Sequence, residues 1–307
     1  MTFFDFGEVI NSDTEFVIFG IPWDYLTTIP QSNSALAPDK IRDVSSNLGL
    51  TTERGHEIPK LKVVDIGNVK IKQTEIENNI YEIKNFINEI YKQNEKVILI
   101  MIGGDHFASY PVIKAVGDNL KKKSNFGVLI FDAHLDLYNK YDKGEYSHAT
   151  IAHRVYDLEY INNKNLIIVG TRDIDIPELK IAKNENIFHL DAYRLMEEGM
   201  ENYINNIVVH FQNSNVKKLY VSIDIDVLDP SIAPGTGYAI PGGFSYRELL
   251  KILKELTKKF NILGFDLVEI SPSLDLKNNL TCNLGAKLII EFISFITDKY
   301  NKDQNDR

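Results

Sequence analysis

Short apolar runs alternate with longer amphipathic stretches along most of the chain. Residues 16–20, 61–66, 97–102, 128–132, 166–170, 187–190, 219–223 and 262–268 are rich in Val, Ile, Leu and Phe and mostly lack polar alternation. Such runs are too short for helices, and an unbroken apolar strand is one covered on both faces. The gaps between them carry helical periodicity. Ile76, Ile80, Ile83, Ile87 and Ile90 fall three or four apart and form one apolar stripe. Ser245 with Glu248 reads as a capping box for a helix that turns Leu249, Ile252, Leu253 and Leu256 inward. Asp191 is placed to cap the helix carrying Leu195 and Met196. About eight strand–helix alternations predict an α/β fold, a parallel sheet with helices on both faces. No Gly/Ser/Pro-rich linker and no fixed-period repeat divides the chain. Residues 1–300 are therefore read as one domain and 301–307 as a polar, frayed tail.

Composition narrows the partners. The 307 residues are 44% hydrophobic and 25% charged, a globular balance rather than a disordered one. Lys plus Arg number 34 against 43 Asp plus Glu, a formal charge of −9. There is no basic stripe for nucleic acid, and the average field favours a cationic small molecule. One cysteine, Cys282, excludes an internal disulfide and a cysteine-based zinc site, so a reducing compartment is expected. The N-terminal residues show no secretory pattern, and the longest purely apolar run, 97–102, is far short of a membrane span. The expectation is a cytoplasmic protein with neither membrane nor nucleic-acid partners.

In open α/β sheets, sites form from loops at the carboxyl ends of strands. Two such loops are long here, 137–147 and 227–244. Three segments leaving predicted strands end in metal-ligand residue types: Gly103-Gly104-Asp105-His106, Asp132-Ala133-His134-Leu135-Asp136, and Asp224-Ile225-Asp226 followed by Asp229-Pro230. In extended chain alternate residues point the same way, so Asp132, His134 and Asp136 can share a face, as can Asp224 and Asp226. Taken singly, Gly-Gly-Asp-His is an ordinary turn and Asp-x-Asp an ordinary helix cap. Taken together, two imidazoles and four carboxylates cannot converge unneutralised. Two divalent cations resolve the conflict, and oxygen-rich ligands with some imidazole and no sulfur suit Mn²⁺ better than structural Zn²⁺. Two ions about 3.5–4 Å apart hold a bridging hydroxide at neutral pH, a nucleophile for carbon or phosphorus. The residues alone do not choose between those targets.

These three segments, the last read as Ser222-Ile223-Asp224-Ile225-Asp226-Val227-Leu228-Asp229-Pro230, resemble the signature motifs of the ureohydrolase family, the arginases and agmatinases. The resemblance continues through Ala233-Pro234-Gly235-Thr236-Gly237 and Pro241-Gly242-Gly243 and spans about residues 15–295. It implies an arginase-type three-layer α/β/α sandwich with an eight-stranded, mainly parallel sheet, two Mn²⁺ per chain, and a homo-oligomer, trimer or hexamer. Carried over by motif, His106, Asp132, Asp136 and Asp224 hold one ion. Asp132, His134, Asp224 and Asp226 hold the other, so that Asp132 and Asp224 bridge and Asp136 orients the hydroxide. Phe107 stands where the family has serine, a change outside the ligand set. A guanidinium needs a carboxylate fork, and Glu269, in Val268-Glu269-Ile270-Ser271, matches the family's guanidinium-binding glutamate. The leaving amine needs a proton, and His148, in Tyr146-Ser147-His148-Ala149-Thr150, matches the family's loop histidine.

The guanidino substrate is read from its far end. Ser147-His148-Ala149-Thr150 is similar to the agmatinase Ser-His-Gly-Thr, with Ala149 for glycine at a cost in backbone freedom. Against this, Asp175 in Thr171-Arg172-Asp173-Ile174-Asp175 matches the arginase aspartate that binds the α-amino group, or caps the helix starting at Pro177. The expectation is hydrolysis of agmatine to urea and putrescine, with arginine or another guanidino acid as the alternative. A non-catalytic binding subunit and a single-zinc deacetylase are the readings of other classes, and the full ligand set argues against both. His153 is read as loop support, His56, His189 and His210 as ordinary loop or core histidines, Cys282 as buried and inert, and Trp23 as packing.

Overall fold

In the computed structural model, which describes residues 1–25, 32–142 and 144–305, all eight apolar runs become strands. They are β1 (Phe16–Ile21), β2 (Val63–Asn68), β3 (Ile98–Gly103), β4 (Phe126–Phe131), β5 (Leu166–Thr171), β6 (Phe188–Asp191), β7 (Lys218–Asp224) and β8 (Asn261–Val268). Every pairing is parallel, in the order β2-β1-β3-β8-β7-β4-β5-β6. The helices are α1 (Ala37–Ser45), α2 (Ile76–Gln93), α3 (Ser109–Asp118), α4 (Ile151–Tyr156), α5 (Ile176–Glu185), α6 (Ala192–Asn213), α7 (Tyr246–Lys259) and α8 (Leu280–Asn305).

The three layers follow from the unbroken apolar strands. On β3, Ile98, Ile100 and Ile102 enter one core with residues of α1, α6, α7 and α8. Leu99 and Met101 enter the opposite core with residues of α2, α3, α4 and α5. Capping residues act as their spacing suggests. Ser245 and Glu248 form a capping box on α7, and the Asp191 side chain accepts the Arg194 amide at the start of α6.

Two boundaries differ from the pattern. The run 61–66 starts late as a strand, because Lys60–Lys62 forms a 3₁₀ turn before Val63. The backbone of 301–305, read as tail, continues α8, since no Gly or Pro follows Gly285 to stop it. Residues 306 and 307 lie outside the described set. Leu280–Lys299 is long and apolar enough to cross a membrane by length and composition, yet 67% of that window is buried. Its residues Cys282, Ala286, Ile289 and Ile293 are core residues.

The sheet order places the chemistry. The central strands β3-β8-β7-β4 are neighbours, and the three motifs and Glu269 sit at their carboxyl ends. The segment 172–175 follows the next strand, β5.

Candidate active site

His106 follows β3 after a Gly-Gly turn. A Cβ on Gly104 would sit 2.1 Å from the Trp23 carbonyl oxygen, so only glycine lets the chain turn there. Glu269 follows β8 with φ of +60°, donates its amide to Gly104 O at 2.8 Å, and accepts the His106 amide on Oε1 at 2.8 Å. The ends of β3 and β8 are thereby stitched together. Asp136 also has a positive φ, +51°, and its carbonyl accepts the amides of Ala152 and His153.

The alternate-residue argument does not survive in detail. β4 ends at Phe131, and 132–136 is a loop; Asp224 closes β7, while Ile225–Val227 is a 3₁₀ turn. The carboxylates converge because loops curl back, not because one strand face carries them. The Asp132 carboxylate accepts the His134 amide and the Asp224 carboxylate accepts the Asp226 amide, each two residues on.

His106 Nδ1 lies 2.9 Å from Asp132 Oδ2 and 3.3 Å from Oδ2 of both Asp136 and Asp224. His134 Nδ1 lies 3.2 Å from Asp132 Oδ1 and 3.2 Å from Asp226 Oδ2. Asp132 thus turns one oxygen to each group. Asp224 belongs to the first group, with its Oδ1 held by the Asp226 amide, and the second group is Asp132, His134 and Asp226.

The electrostatics test whether cations fit. Burial, with Asp132 adding repulsion, pushes Asp136 up to about 7. Burial, with Asp105, pushes Glu269 up to about 8, and burial with Asp136 does the same to Glu178. Burial also drives Asp224 well above the carboxylate range. Burial opposes charge on His106 and His134, yet the carboxylates outweigh it and hold both imidazoles well above their usual range. In the bare protein, protons on those rings offset part of the cluster's negative charge, and the raised Asp136 and Asp224 carboxyls lessen the rest. Two divalent ions fit the same donor set and meet the same need.

Two connected cavities open from this cluster. An inner one of about 20 Å³ is lined by residues including His106, Asp224, Asp226, Thr236 and Glu269. An outer one of about 120 Å³ includes Tyr138, Tyr141, Asp173, Asp175 and Glu178. His134, Asp136, His148 and Tyr238 line both. Of the other motif residues, Glu269 lines the inner cavity and His148 lines both. Asp175 stands at the outer end as the N-cap residue of α5, but its side chain makes no cap bond and accepts Tyr138 Oη at 2.7 Å.

The model of the arginase family matches residues 14–294. This chain belongs to the arginase family. It is 31% identical over 282 residues, 92% of each chain, to the agmatinase of Pyrococcus horikoshii. It is 30% identical over 290 residues, 91% of this chain and 80% of the other, to mitochondrial arginase 1 of Arabidopsis thaliana. The crystal structure of formimidoylglutamase from Bacillus subtilis superposes with a TM-score of 0.84 at 26% identity, covering 96% of this chain and 92% of that one. The arginase-type fold is thus shared with relatives bearing three different activity names.

Within this arginase-family site, several residues act that the motifs leave silent. Ser222 Oγ donates to Asp266 Oδ1 at 2.7 Å and lies 3.0 Å from His106 Nε2, and both Ser222 and Asp266 are fully buried. With its proton given to Asp266, Ser222 can accept from His106 Nε2–H, the tautomer that would turn an Nδ1 lone pair to a cation when one is bound. The signal was a lone aspartate inside the apolar run 262–268. Ser222→Ala is expected to weaken metal affinity by about tenfold to a hundredfold, read by competition with a chelating dye; unchanged affinity would show that the relay does not orient His106. Glu178, which accepts the Leu137 amide, passes in sequence for an ordinary first-turn acid. Arg172 donates to the carbonyls of Asp226, Leu228 and Ile240, pinning the long loop after β7. Asp229 accepts the amides of Ser231 and Gly242 across that loop, and the Ser231 side chain, together with these amides, depresses its carboxyl to about 2.

The remaining readings find their places. Ala149 sits in the 3₁₀ turn His148–Thr150 without a positive φ, so the missing glycine costs nothing there. Phe107 packs against Trp23, Tyr110 and Tyr146, each with ring centroids 5.5 Å apart, a buried apolar wedge beneath the His148 loop. His153 Nδ1 bonds the Leu137 carbonyl at 2.9 Å and supports the loop, and Cys282 is buried in α8.

Proposed function

We propose that this arginase-family hydrolase cleaves the guanidinium group of agmatine, releasing urea and putrescine. The observation that supports this substrate is the charge of the outer cavity. Its described lining offers the carboxylates of Asp173 and Asp175, with the burial-raised Glu178 beside them, and no Lys or Arg among the described residues. That environment suits a substrate whose far end is a bare ammonium and gives no cationic partner to a far-end carboxylate. Asp175 with Tyr138 at the mouth fits an amine, which agmatine and arginine both carry; only arginine also brings a carboxylate.

The residues assign the roles. Glu269 Oε1 is occupied by the His106 amide, so Oε2 is left to receive a guanidinium N–H in the inner cavity. His106, Asp132, Asp136, His134, Asp224 and Asp226 would hold two divalent cations, with Mn²⁺ favoured by the mix of oxygen and imidazole donors. Cations in such a site polarise bound oxygen and supply a water-derived nucleophile at neutral pH. Asp136, whose Oδ2 lies 3.3 Å from His106 Nδ1 in the same cluster, would take a proton from the attacking water. As the carbon–nitrogen bond breaks, the leaving amine takes up a proton, with His148 at the neck between the cavities as the donor facing the exit. A reducing, cytoplasmic setting is part of the proposal and rests on the single buried cysteine. Assembly as a homo-oligomer rests on the family resemblance alone.

The test is a panel of agmatine, arginine, guanidinobutyrate and formimidoylglutamate, scored for urea or formamide release with added Mn²⁺. The expected kcat/KM ratio of agmatine to arginine is at least about tenfold, equal to about 1.4 kcal/mol. EDTA is expected to abolish release and Mn²⁺ to restore it. Preferential turnover of arginine would overturn the substrate choice, and turnover indifferent to EDTA would overturn the metal site.

A further inference from the structure

Five aromatic rings form an arc along the path from the inner cavity to Asp175. Tyr238 meets His134 edge-on, with centroids 5.6 Å apart at 75°, and lies nearly parallel to His148 at 6.4 Å and 28°. His148 meets Tyr141 at 5.7 Å, and Tyr141 meets Tyr138 at 5.2 Å. Tyr138 ends the arc by donating to Asp175. Of these rings, His134, Tyr238 and His148 border both cavities; His134 belongs to the carboxylate cluster, so the passage beyond it runs between Tyr238 and His148.

The backbone beneath Tyr238 is fixed on either side. Two residues before it, Thr236 bridges to Ile270, and two residues after it, the Ile240 carbonyl accepts Arg172 Nε at 3.0 Å and a terminal nitrogen of the same guanidinium at 2.8 Å. A half-buried ring on a pinned loop is a wall whose position the substrate must accept. The two ends of the path are rich in carboxylates, whereas the faces of these rings between them are apolar. Such a surface favours unsubstituted methylenes and offers nothing to a polar branch.

We propose that Tyr238 is the specificity-determining residue of this site, its ring and that of His148 forming a neck that selects a linear methylene chain between guanidinium and terminal amine. This rests on the guanidino-hydrolase reading above and goes beyond it, because the neck acts on the chain rather than on either charged end.

The test compares wild type, Tyr238→Ala and Tyr238→Phe on two substrates: agmatine and n-butylguanidine, which keeps the chain and lacks the amine. Tyr238→Ala is expected to raise KM for both by about tenfold or more, with the loss falling on KM rather than kcat, and Tyr238→Phe is expected to recover most of it. Asp175→Asn is expected to raise KM for agmatine alone, which separates the end from the neck. Thermal melting and metal content of the variants confirm that fold and ions are intact. If wild type turns over agmatine but Tyr238→Ala leaves both KM values in place, the neck is wrong and the substrate reading stands. If wild type prefers another guanidino compound, the substrate reading falls, and the neck is judged by the effect of Tyr238→Ala on KM for that compound. A loss confined to kcat, or one not recovered by Tyr238→Phe, also overturns it.

Discussion

Replacing Asp132 by asparagine is expected to lower urea release by about three orders of magnitude or more, equal to about 4 kcal/mol of lost barrier reduction. The reason is geometric. Asp132 Oδ2 faces His106 and Asp132 Oδ1 faces His134, so one side chain serves both halves of the cluster. The amide presents one acceptor oxygen and one NH₂ donor, and the NH₂ cannot serve a cation. The same change removes a buried negative charge that both imidazoles face. Metal analysis of the purified variant is expected to give one ion or fewer per chain. An Asp132→Asn protein that retained two ions and near-native turnover would disprove the bridging position assigned to Asp132.

A second large effect is expected far from the metals. Arg42 on α1 meets Asp65 on β2 in a two-point ion pair, Nε to Oδ2 at 2.7 Å and one terminal nitrogen to Oδ1 at 2.9 Å. Both side chains are almost wholly buried. Asp65 also accepts the amides of Phe3 and Gly67, which ties the N-terminal Phe3, Phe4 and Phe6 cluster to the sheet edge. Breaking a buried pair strands the surviving charge, at a cost of about 3–5 kcal/mol. Arg42→Met is therefore expected to lower the unfolding free energy by that amount, read from denaturant titration, while leaving the turnover of the folded fraction intact. Adding Asp65→Leu is expected to recover only part, because the Phe3 and Gly67 amides then lose their acceptor. A loss under about 1 kcal/mol for Arg42→Met, the range of an ordinary surface substitution, would mean that the pair contributes little.

The strands were legible because a parallel sheet between two helical layers leaves little polar alternation, and most of the eight runs show that pattern. The motif residues were legible because carboxylates and imidazoles in such number, directly after apolar runs, have few other uses. The way they converge was not. Alternation along an extended chain explains neither the curl of 132–136 nor the turn at Ile225–Val227, because both depend on side chains accepting backbone amides two residues on. Ser222 and Asp266 escaped because the imidazole that Ser222 meets, His106, follows a different strand. Tyr238 escaped because a tyrosine in a Gly/Pro-rich loop carries no signal until the rings of His134 and His148 are set beside it.

Asp136 and Glu269 hold positive φ angles that glycine adopts freely and aspartate and glutamate do not. At both positions the local fold is thus slightly at odds with the chemistry, and the surrounding hydrogen bonds hold the strained residues in place. A lineage released from the need to turn over substrate would gain robustness by drifting to glycine at these two sites first. The conflict makes them sentinels, since an acidic residue kept at both marks a descendant still under selection for its reaction.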